Sequence, residues 1–169
     1  GKGLVNYVKY GGISLTEIGQ RKAIQLLRNH RLWEVFLSEH LGFAWDKVHD
    51  IAEQLEHVRS NELIARLGRF LGDPTIDPHG DPIPSYDLTI QPTEGTTFFA
   101  AKPGDSFTLV AAADNQDLLA KLNEFKVSLG SELVKVGQDK QGHQVMQVHG
   151  QSIAFSEMEA KQLHVSLSH

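Results

Sequence analysis

The sequence of 169 residues contains no cysteine, although it has nine histidines. Disulfide bonds, thiolate metal ligands and cysteine nucleophiles are therefore excluded. Any metal bound by this chain has to use histidine nitrogens and carboxylate oxygens. The absence of disulfides is compatible with a reducing compartment, and we expect a cytoplasmic protein.

Long apolar runs are missing as well. No stretch approaches the length of about 18 consecutive apolar residues that a membrane-spanning helix requires. The N-terminus also lacks the charged and then apolar pattern of a secretory signal peptide. We therefore expect no membrane partner.

The chain has no excess of positive charge, since its formal net charge is −5. A surface that wraps nucleic acid needs clustered lysine and arginine side chains. If the protein binds DNA, another part has to make the main contact. The sequence begins Gly1-Lys2-Gly3 without methionine, and we expect it to be a fragment.

The first part of the chain has the pattern of a hairpin followed by a helix. Strand-forming residues flank a tight turn at Gly11-Gly12, which predicts a hairpin over Leu4 to Leu15. Thr16 is a suitable N-cap for a first helix that ends near Gly42.

Two more helices are expected before the prolines. The second begins near Trp45-Asp46 and continues through Val58, and a cap-like break at Ser60-Asn61 starts the third. Apolar residues from Leu63 to Leu71 follow helical spacing. We expect this third helix, including Leu67, to form a dimer contact together with the first helix.

The second part of the chain changes to short strands. Five prolines and glycines between Asp73 and Ser85 end the helical pattern. One short helix is predicted over Gln116 to Asn123. The predicted strands, which together suggest a small SH3-like β-barrel, lie at Phe98-Phe99, Phe107 to Ala111, Leu133 to Val136, Val145 to Val148 and His164 to Leu167.

The fold class expected from these patterns is α+β. A helical dimerisation and metal-binding unit follows a hairpin and precedes a small SH3-like β-barrel. The expected boundaries are residues 1–19 for the hairpin part, 20–84 for the helical domain, 85–95 for a linker and 96–169 for the SH3-like domain.

One face of the second helix concentrates metal-ligand chemistry. His49, Glu53, Glu56 and His57 stand at i, i+4, i+7 and i+8, so a continuous helix would place all four on one side. The first helix repeats the pattern with His30 and Glu34 at i and i+4. Imidazole and carboxylate ligands suit Mn²⁺ or Fe²⁺, and Zn²⁺, Co²⁺ or Ni²⁺ can also bind such a set. The alternative is an ordinary solvated helix face.

Two other functions are alternatives to a metal-responsive binding protein. A dinuclear metalloenzyme could activate water on such helices, but its paired Glu-x-x-His motifs are absent. A peptide-binding module is disfavoured because phenylalanine is the only aromatic residue type between Thr96 and His169. We expect the protein not to be an enzyme.

Several separated motifs in the first half of the chain resemble the iron- and manganese-dependent repressors of the diphtheria toxin repressor family. The matching runs are Ile13 to Gly19, Arg28 to Glu34, Lys47 to Asp50, Leu55 to Val58 and Asp77 to Pro84. The resemblance implies a winged helix-turn-helix head, a helical dimerisation unit with two divalent-metal sites and, in many members, a C-terminal SH3-like domain.

The resemblance also implies a ligand assignment. By motif, His30, Glu34 and His49 match one metal site, and Glu53, Glu56 and His57 match the other. By resemblance, Glu53 stands at a position where iron-type members of the family have cysteine and manganese-type members have glutamate. We therefore expect Mn²⁺ to be the preferred metal and Fe²⁺ the second. In the family the SH3-like domain can add oxygen ligands, and Asp114 and Asp117 are the matching candidates, with Gln116 between them.

The implied biology is that of a metal-sensing transcriptional repressor that controls metal homeostasis genes. A homodimer in the full-length protein would bind palindromic operator DNA. Residues 1–19 resemble only the wing of the DNA-binding head, so we expect this chain to bind metal and dimerise but to bind DNA poorly.

Overall fold

A computed structural model describes residues 3–8 and 12–168 of the chain. It contains two compact units. Unit 1 consists of Gly1–Phe43, Asp50–Asp77 and Pro82–Gln91, and unit 2 of Ala44–His49, Pro78–Asp81 and Pro92–His169. Among the described residues, no helix combines the length and the apolar character needed to cross a lipid bilayer.

Unit 1 begins with an antiparallel hairpin. Strand β1 (Val5–Val8) pairs with β2 (Gly12–Leu15), and Val5 lies opposite Leu15. The predicted two-stranded hairpin is therefore present, while Gly11 of the predicted Gly11-Gly12 turn lies outside the described residues. The side chain of Tyr7 is largely exposed.

Helix α1 (Glu17–Glu39) starts at the predicted cap, because the Thr16 hydroxyl accepts a hydrogen bond from the Gly19 amide at 3.0 Å. Gly19 also has a packing role: a Cβ atom there would lie 2.1 Å from the carbonyl oxygen of Leu4. The hairpin therefore contacts the first turn of α1 so closely that only glycine fits. The helix ends three residues before the predicted stop at Gly42.

Helices α2 (Val48–Leu55) and α3 (Asn61–Phe70) complete the helical part of the chain. The second helix was predicted from Trp45 to Val58 and is shorter at both ends. The Ser60 hydroxyl caps α3 by accepting from the Leu63 amide, as predicted.

The core of unit 1 joins α1, α3 and the proline-rich segment. Its buried side chains are Leu32, Val35, Ile64, Leu67 and Ile83. The predicted role of Leu67 in a dimer contact is therefore wrong for this residue, since it is only 7% exposed and packs inside its own unit. The outer face of α3 instead exposes Leu63 and Phe70.

Unit 2 contains a six-stranded antiparallel sheet with the strand order β3-β8-β4-β5-β6-β7. Its strands are β3 (Thr96–Thr97), β4 (Ser106–Ala112), β5 (Glu132–Gln138), β6 (Gln144–Val148), β7 (Gln151–Phe155) and β8 (Leu163–Leu167). Helix α4 (Gln116–Glu124) follows β4, and α5 (Glu157–Lys161) follows β7. The α+β fold class is confirmed.

Three details of unit 2 differ from the expectation. The strand predicted at Phe98-Phe99 lies instead at Thr96–Thr97, which form β3. Phe98 lies in a turn, where its ring is fully buried in the core and its amide donates to Leu163. Strand β7 and helix α5 were not predicted. The residues of β7, which forms a hairpin with β6, mix polar and apolar side chains in a pattern that is also typical of loops.

The core of unit 2 also receives residues from the helical half of the sequence. Trp45 packs against it and donates from Nε1 to the Asn123 side chain at 2.7 Å. The Ala112 amide donates to the carbonyl of His79 at 2.9 Å. A Cβ atom at Gly80 would lie 2.1 Å from the carbonyl oxygen of Val110, so only glycine allows this approach to β4.

Candidate metal centre

The first candidate ligands lie on the inward face of α1. His30 and Glu34 are four residues apart, so one helical turn places their side chains side by side. Glu34 is only 1% exposed, although it carries a carboxylate. A buried carboxylate requires a hydrogen-bond donor or a positive charge nearby, and the imidazole of His30 meets this need in part.

His30 lies between two carboxylates within unit 1. Its Nε2 is 3.1 Å from Oε1 of Glu34, and its Nδ1 is 2.6 Å from Oε2 of Glu56. Burial alone would lower the pKa of His30, but the hydrogen bonds and negative charges of Glu34 and Glu56 outweigh it and raise the pKa above its ordinary value. The cluster thus favours positive charge at its centre.

This donor set fits a divalent cation. Two carboxylates and one imidazole have a net charge of −1 even when the imidazole is protonated. Oxygen and nitrogen donors of this kind are those that Mn²⁺ and Fe²⁺ use. His30, Glu34 and Glu56 could therefore hold such an ion, with the ion in the place of the imidazole proton.

The end of α2 corrects the predicted helical face. Glu56 and His57 follow the helix in a turn, and the chain leaves the helical path where the Val58 amide donates to Leu55. A continuous helix through His57 was therefore wrong. Ser60, five residues after Leu55, then caps α3.

The remaining predicted ligands of unit 1 are less buried. Glu53 is exposed on α2. The side chain of His57 is 68% exposed, and its Nε2 lies 3.6 Å from Oε1 of Glu56, too far for a hydrogen bond. Unit 1 thus brings together His30, Glu34 and Glu56. Glu53 and His57 are close to Glu56 in the sequence, but their side chains are exposed.

A second cluster lies within unit 2. Nδ1 of His49 contacts the carboxylate of Asp114, whose other oxygen is 3.7 Å from Nε2 of His79. His79 is 1% exposed, lies 2.6 Å from the carbonyl oxygen of Trp45 through the same Nε2 and stacks on the Trp45 ring. Asp114, one of the two predicted additional ligands, therefore has histidine nitrogens on both sides.

Asp117, the other predicted additional ligand, is exposed, whereas the buried His79 was not predicted as a site residue. Asp117 stands in the first turn of α4 with an exposed side chain, and its amide donates to the Asn115 cap. His79 had no predicted role. The only available signal was its position inside the Asp77 to Pro84 motif, because a histidine among prolines and glycines is otherwise indistinguishable from a loop residue.

Comparison with protein families identifies a related domain. Residues 16–85 match the model described as the iron dependent repressor, metal binding and dimerisation domain. This range contains α1, α2 and α3 and the cluster around His30.

Curated relatives extend the similarity in two directions. A protein of Chlamydia trachomatis described as a probable metal transport system membrane protein is 45% identical over 83 residues, which cover 49% of this chain and 18% of that protein. The diphtheria toxin repressor of Corynebacterium glutamicum is 30% identical over 162 residues, covering 89% of this chain and 70% of the repressor. The match spans 36% of an iron-dependent repressor of Mycobacterium bovis, so the chain covers only a part of several relatives.

A solved structure agrees with the sequence relatives. A manganese-dependent transcriptional repressor in complex with manganese superposes with a TM-score of 0.86 and 33% identity, covering 99% of this chain and 79% of that chain. The diphtheria toxin repressor and this structural neighbour are metal-dependent repressors, which are not enzymes, and the metalloenzyme alternative has no support. The chain belongs to the family of iron-dependent repressors that includes the diphtheria toxin repressor.

Proposed function

We propose that this chain is the metal-sensing and dimerising part of a transcriptional repressor that responds to Mn²⁺ or Fe²⁺ and controls metal homeostasis genes. The observation that carries the proposal is the buried cluster in which His30 joins Glu34 and Glu56, inside the segment that matches a metal-binding and dimerisation domain. The similarity to a probable metal transport protein supports a role in metal homeostasis.

The ligand assignment is a proposal taken from the family motifs. It gives His30, Glu34 and His49 to one site, and Glu53, Glu56 and His57 to the other, with Asp114 and Asp117 as possible additional oxygen ligands. In unit 1 the Glu56 carboxylate lies 2.6 Å from the His30 imidazole, so one ligand of each proposed site is in contact with one ligand of the other. In unit 2, the contact of Asp114 with His49 supports Asp114 over Asp117.

Mn²⁺ is the proposed first choice, because Glu53 offers a hard oxygen ligand where a thiolate would favour softer metals. Fe²⁺ is second, and the related structure that contains manganese agrees with this order. Zn²⁺, Co²⁺ and Ni²⁺ should bind in vitro, since imidazole and carboxylate sites follow the Irving–Williams order.

The proposed sensing step rests on charge. A bound divalent ion supplies the positive charge that neutralises the crowded carboxylates. Without it, the His30 imidazole lies between the carboxylates of Glu34 and Glu56, and the side chains of Glu53 and His57 remain exposed. The exposed pair is thus free to be drawn toward Glu56, which would order the turn after α2.

The proposed partners follow from the family. A homodimer in the cytoplasm would present two DNA-binding heads to a palindromic operator in the full-length protein. In this assignment residues 1–19 correspond to the wing, 20–84 to the dimerisation and metal-binding domain, 85–95 to a linker and 96–169 to the SH3-like domain.

The proposal is tested by calorimetric titration of the chain with Mn²⁺, Fe²⁺ and Zn²⁺. The informative variant is Glu53→Ala/His57→Ala, because both side chains are exposed and their loss should leave the fold intact. The matched control is Glu132→Ala/His149→Ala, which removes one exposed glutamate and one exposed histidine from unit 2.

We expect saturable binding to the unmodified chain and to the control, and the loss of at least one site in the Glu53→Ala/His57→Ala variant. Equal binding by both double variants would remove Glu53 and His57 from the ligand set. No binding of any metal to the unmodified chain would overturn the sensing proposal for this chain.

A further inference from the structure

Unit 1 contains a cavity that the metal cluster does not use. Its volume is 320 Å³, and it lies between α1 and the segment 73–91, with Arg28, Pro74, Thr75, Ile83, Tyr86 and Thr89 in its wall. This volume is at the lower end of the range for small-molecule sites, and most of the wall is apolar.

The unusual group in the wall is the guanidinium of Arg28. The residue is only 5% exposed, yet the described residues offer it one hydrogen-bond acceptor, the carbonyl oxygen of Pro84, which accepts from Nη1 at 2.5 Å. The guanidinium carbon also lies 4.1 Å from the centroid of the Tyr86 ring. No carboxylate of the described residues forms an ion pair with it.

Arg28 therefore has unused hydrogen-bond donors. A guanidinium carries five N–H groups, and buried charges are normally paired with an opposite charge. Gly68 allows close packing on one side of the guanidinium, because a Cβ atom at this position would lie 3.2 Å from Nη2 and 3.0 Å from the Tyr86 hydroxyl. The guanidinium-bearing residue Arg28 lies in the wall of the cavity.

The surroundings define the charge of a suitable ligand. Asp73 also lines the cavity and accepts a hydrogen bond from the Tyr86 hydroxyl at 3.1 Å. This negative charge disfavours a dianion such as phosphate, whereas a single carboxylate can pair with the planar guanidinium through two parallel hydrogen bonds.

The surroundings also define the shape of the ligand. The ring of Tyr86 and the side chains of Pro74 and Ile83 form an apolar wall. Thr75 also lines the cavity from an exposed position, and its hydroxyl can donate to a carboxylate. We propose that this cavity is a binding site for a small monocarboxylate with an apolar body, which pairs with Arg28.

Benzoate is the probe, because it combines a planar carboxylate with an apolar ring of suitable size. Benzamide has the same shape without the charge and is the matched control ligand. The metal-stripped chain is titrated with each compound and followed by ¹H–¹⁵N correlation spectra. Because no metal is present, failure of this experiment is independent of failure of the metal-sensing proposal.

Two variants locate the site. Arg28→Met removes the guanidinium and should weaken benzoate binding by about tenfold to a hundredfold, the range for loss of hydrogen bonds to a charged group. Thr89→Trp fills the mouth of the cavity from an exposed position and should abolish binding even if Arg28→Met does not fold. The control is Arg21→Met, which removes an exposed arginine from the same helix.

The expected result is saturable binding of one benzoate per chain, with shifts of the amide signals of residues 73–91. The Arg21→Met variant should show the same binding, and benzamide should show no comparable binding. Absence of saturable benzoate binding would overturn the proposal. Equal binding of benzamide, or full binding by Thr89→Trp, would also overturn it, because the cavity and the guanidinium would then not form the site.

Discussion

Glu34 and His30 are individually poor residues for the interior of a helical unit. A buried carboxylate loses its hydration, and a buried imidazole loses part of its own. The helical spacing makes each the partner of the other, and Glu56 adds a second carboxylate at 2.6 Å from the ring. The result is an arrangement with more negative than positive charge, which binding of a cation would balance.

Replacement of Glu34 by glutamine should separate metal binding from folding. Glu34→Gln keeps the shape and hydrogen-bonding capacity of the side chain, so the chain should fold, but the loss of one charge should weaken Mn²⁺ binding by about tenfold or more. Calorimetric titration measures this change. Glu39→Gln, on the exposed side of the same helix, is the control, and equal affinities of the two variants would exclude Glu34 as a ligand.

Glu159 makes the stability of unit 2 depend on pH. Burial alone would raise the pKa of Glu159, but hydrogen bonds from Lys121 and Ser156 outweigh it and hold the pKa below its ordinary value of 4.5. The carboxylate therefore stabilises the folded state at pH values above 4.5, and this contribution is lost as the pH falls through the lowered pKa.

The test compares Glu159→Gln with the unmodified chain in urea unfolding at several pH values. The free energy of unfolding of Glu159→Gln should be lower at pH 7, and the difference should shrink toward zero as the pH falls below 4.5. Gln162→Glu, which leaves the Glu159 contacts in place, serves as a control for an altered charge near α5. A difference independent of pH would contradict this role of Glu159.

At the scale of elements, the N-terminal cap of α1 links the hairpin to the helix. The Thr16 hydroxyl accepts from Gly19 and donates to the carbonyl of Gly3 at 2.7 Å. It thus satisfies an otherwise free helical amide and holds the chain that enters β1.

Thr16→Ala should lower the free energy of unfolding by about 1 kcal/mol, the typical effect of losing such a cap. Thr16→Ser retains the hydroxyl and should be close to the unmodified chain. Urea unfolding followed by helical circular dichroism measures both. If Thr16→Ala and Thr16→Ser unfold at the same urea concentration, the hydroxyl does not stabilise α1.

The two faces of α3 have different roles. Leu67 faces the core of unit 1 at 7% exposure, whereas Phe70 is 64% exposed and lies 4.8 Å from the His40 ring, between centroids. The family model describes a dimerisation domain over this part of the chain. An exposed aromatic side chain on its surface is therefore a better candidate for a contact between subunits than Leu67.

At the scale of the whole molecule, the difference between the two faces of α3 predicts different effects of introducing aspartate at Leu67 and at Phe70. Leu67→Asp should destabilise unit 1 by about 3 kcal/mol or more, because it buries an unpaired charge. Phe70→Asp should keep the fold but shift the chain from dimer to monomer in analytical ultracentrifugation. A dimer in Phe70→Asp would show that the contact lies elsewhere.

The sequence alone determined the fold class, because apolar spacing in the first half is helical and in the second half alternates as in strands. It also determined the two caps at Thr16 and Ser60, since capping depends on a hydroxyl and the next few amides. The family motifs and the candidate ligands were likewise readable, because ligand chemistry depends on residue type and spacing.

Only the tertiary structure decided which of these residues meet. It ended α2 at Leu55, so Glu56 turns toward His30 while His57 stays in solvent. It buried His79 beside Asp114 and placed Arg28 in the wall of a cavity, where no carboxylate among the described residues forms an ion pair with it. These outcomes depend on contacts between residues far apart in the chain, such as Arg28 with Pro84, and local spacing contains no information about them.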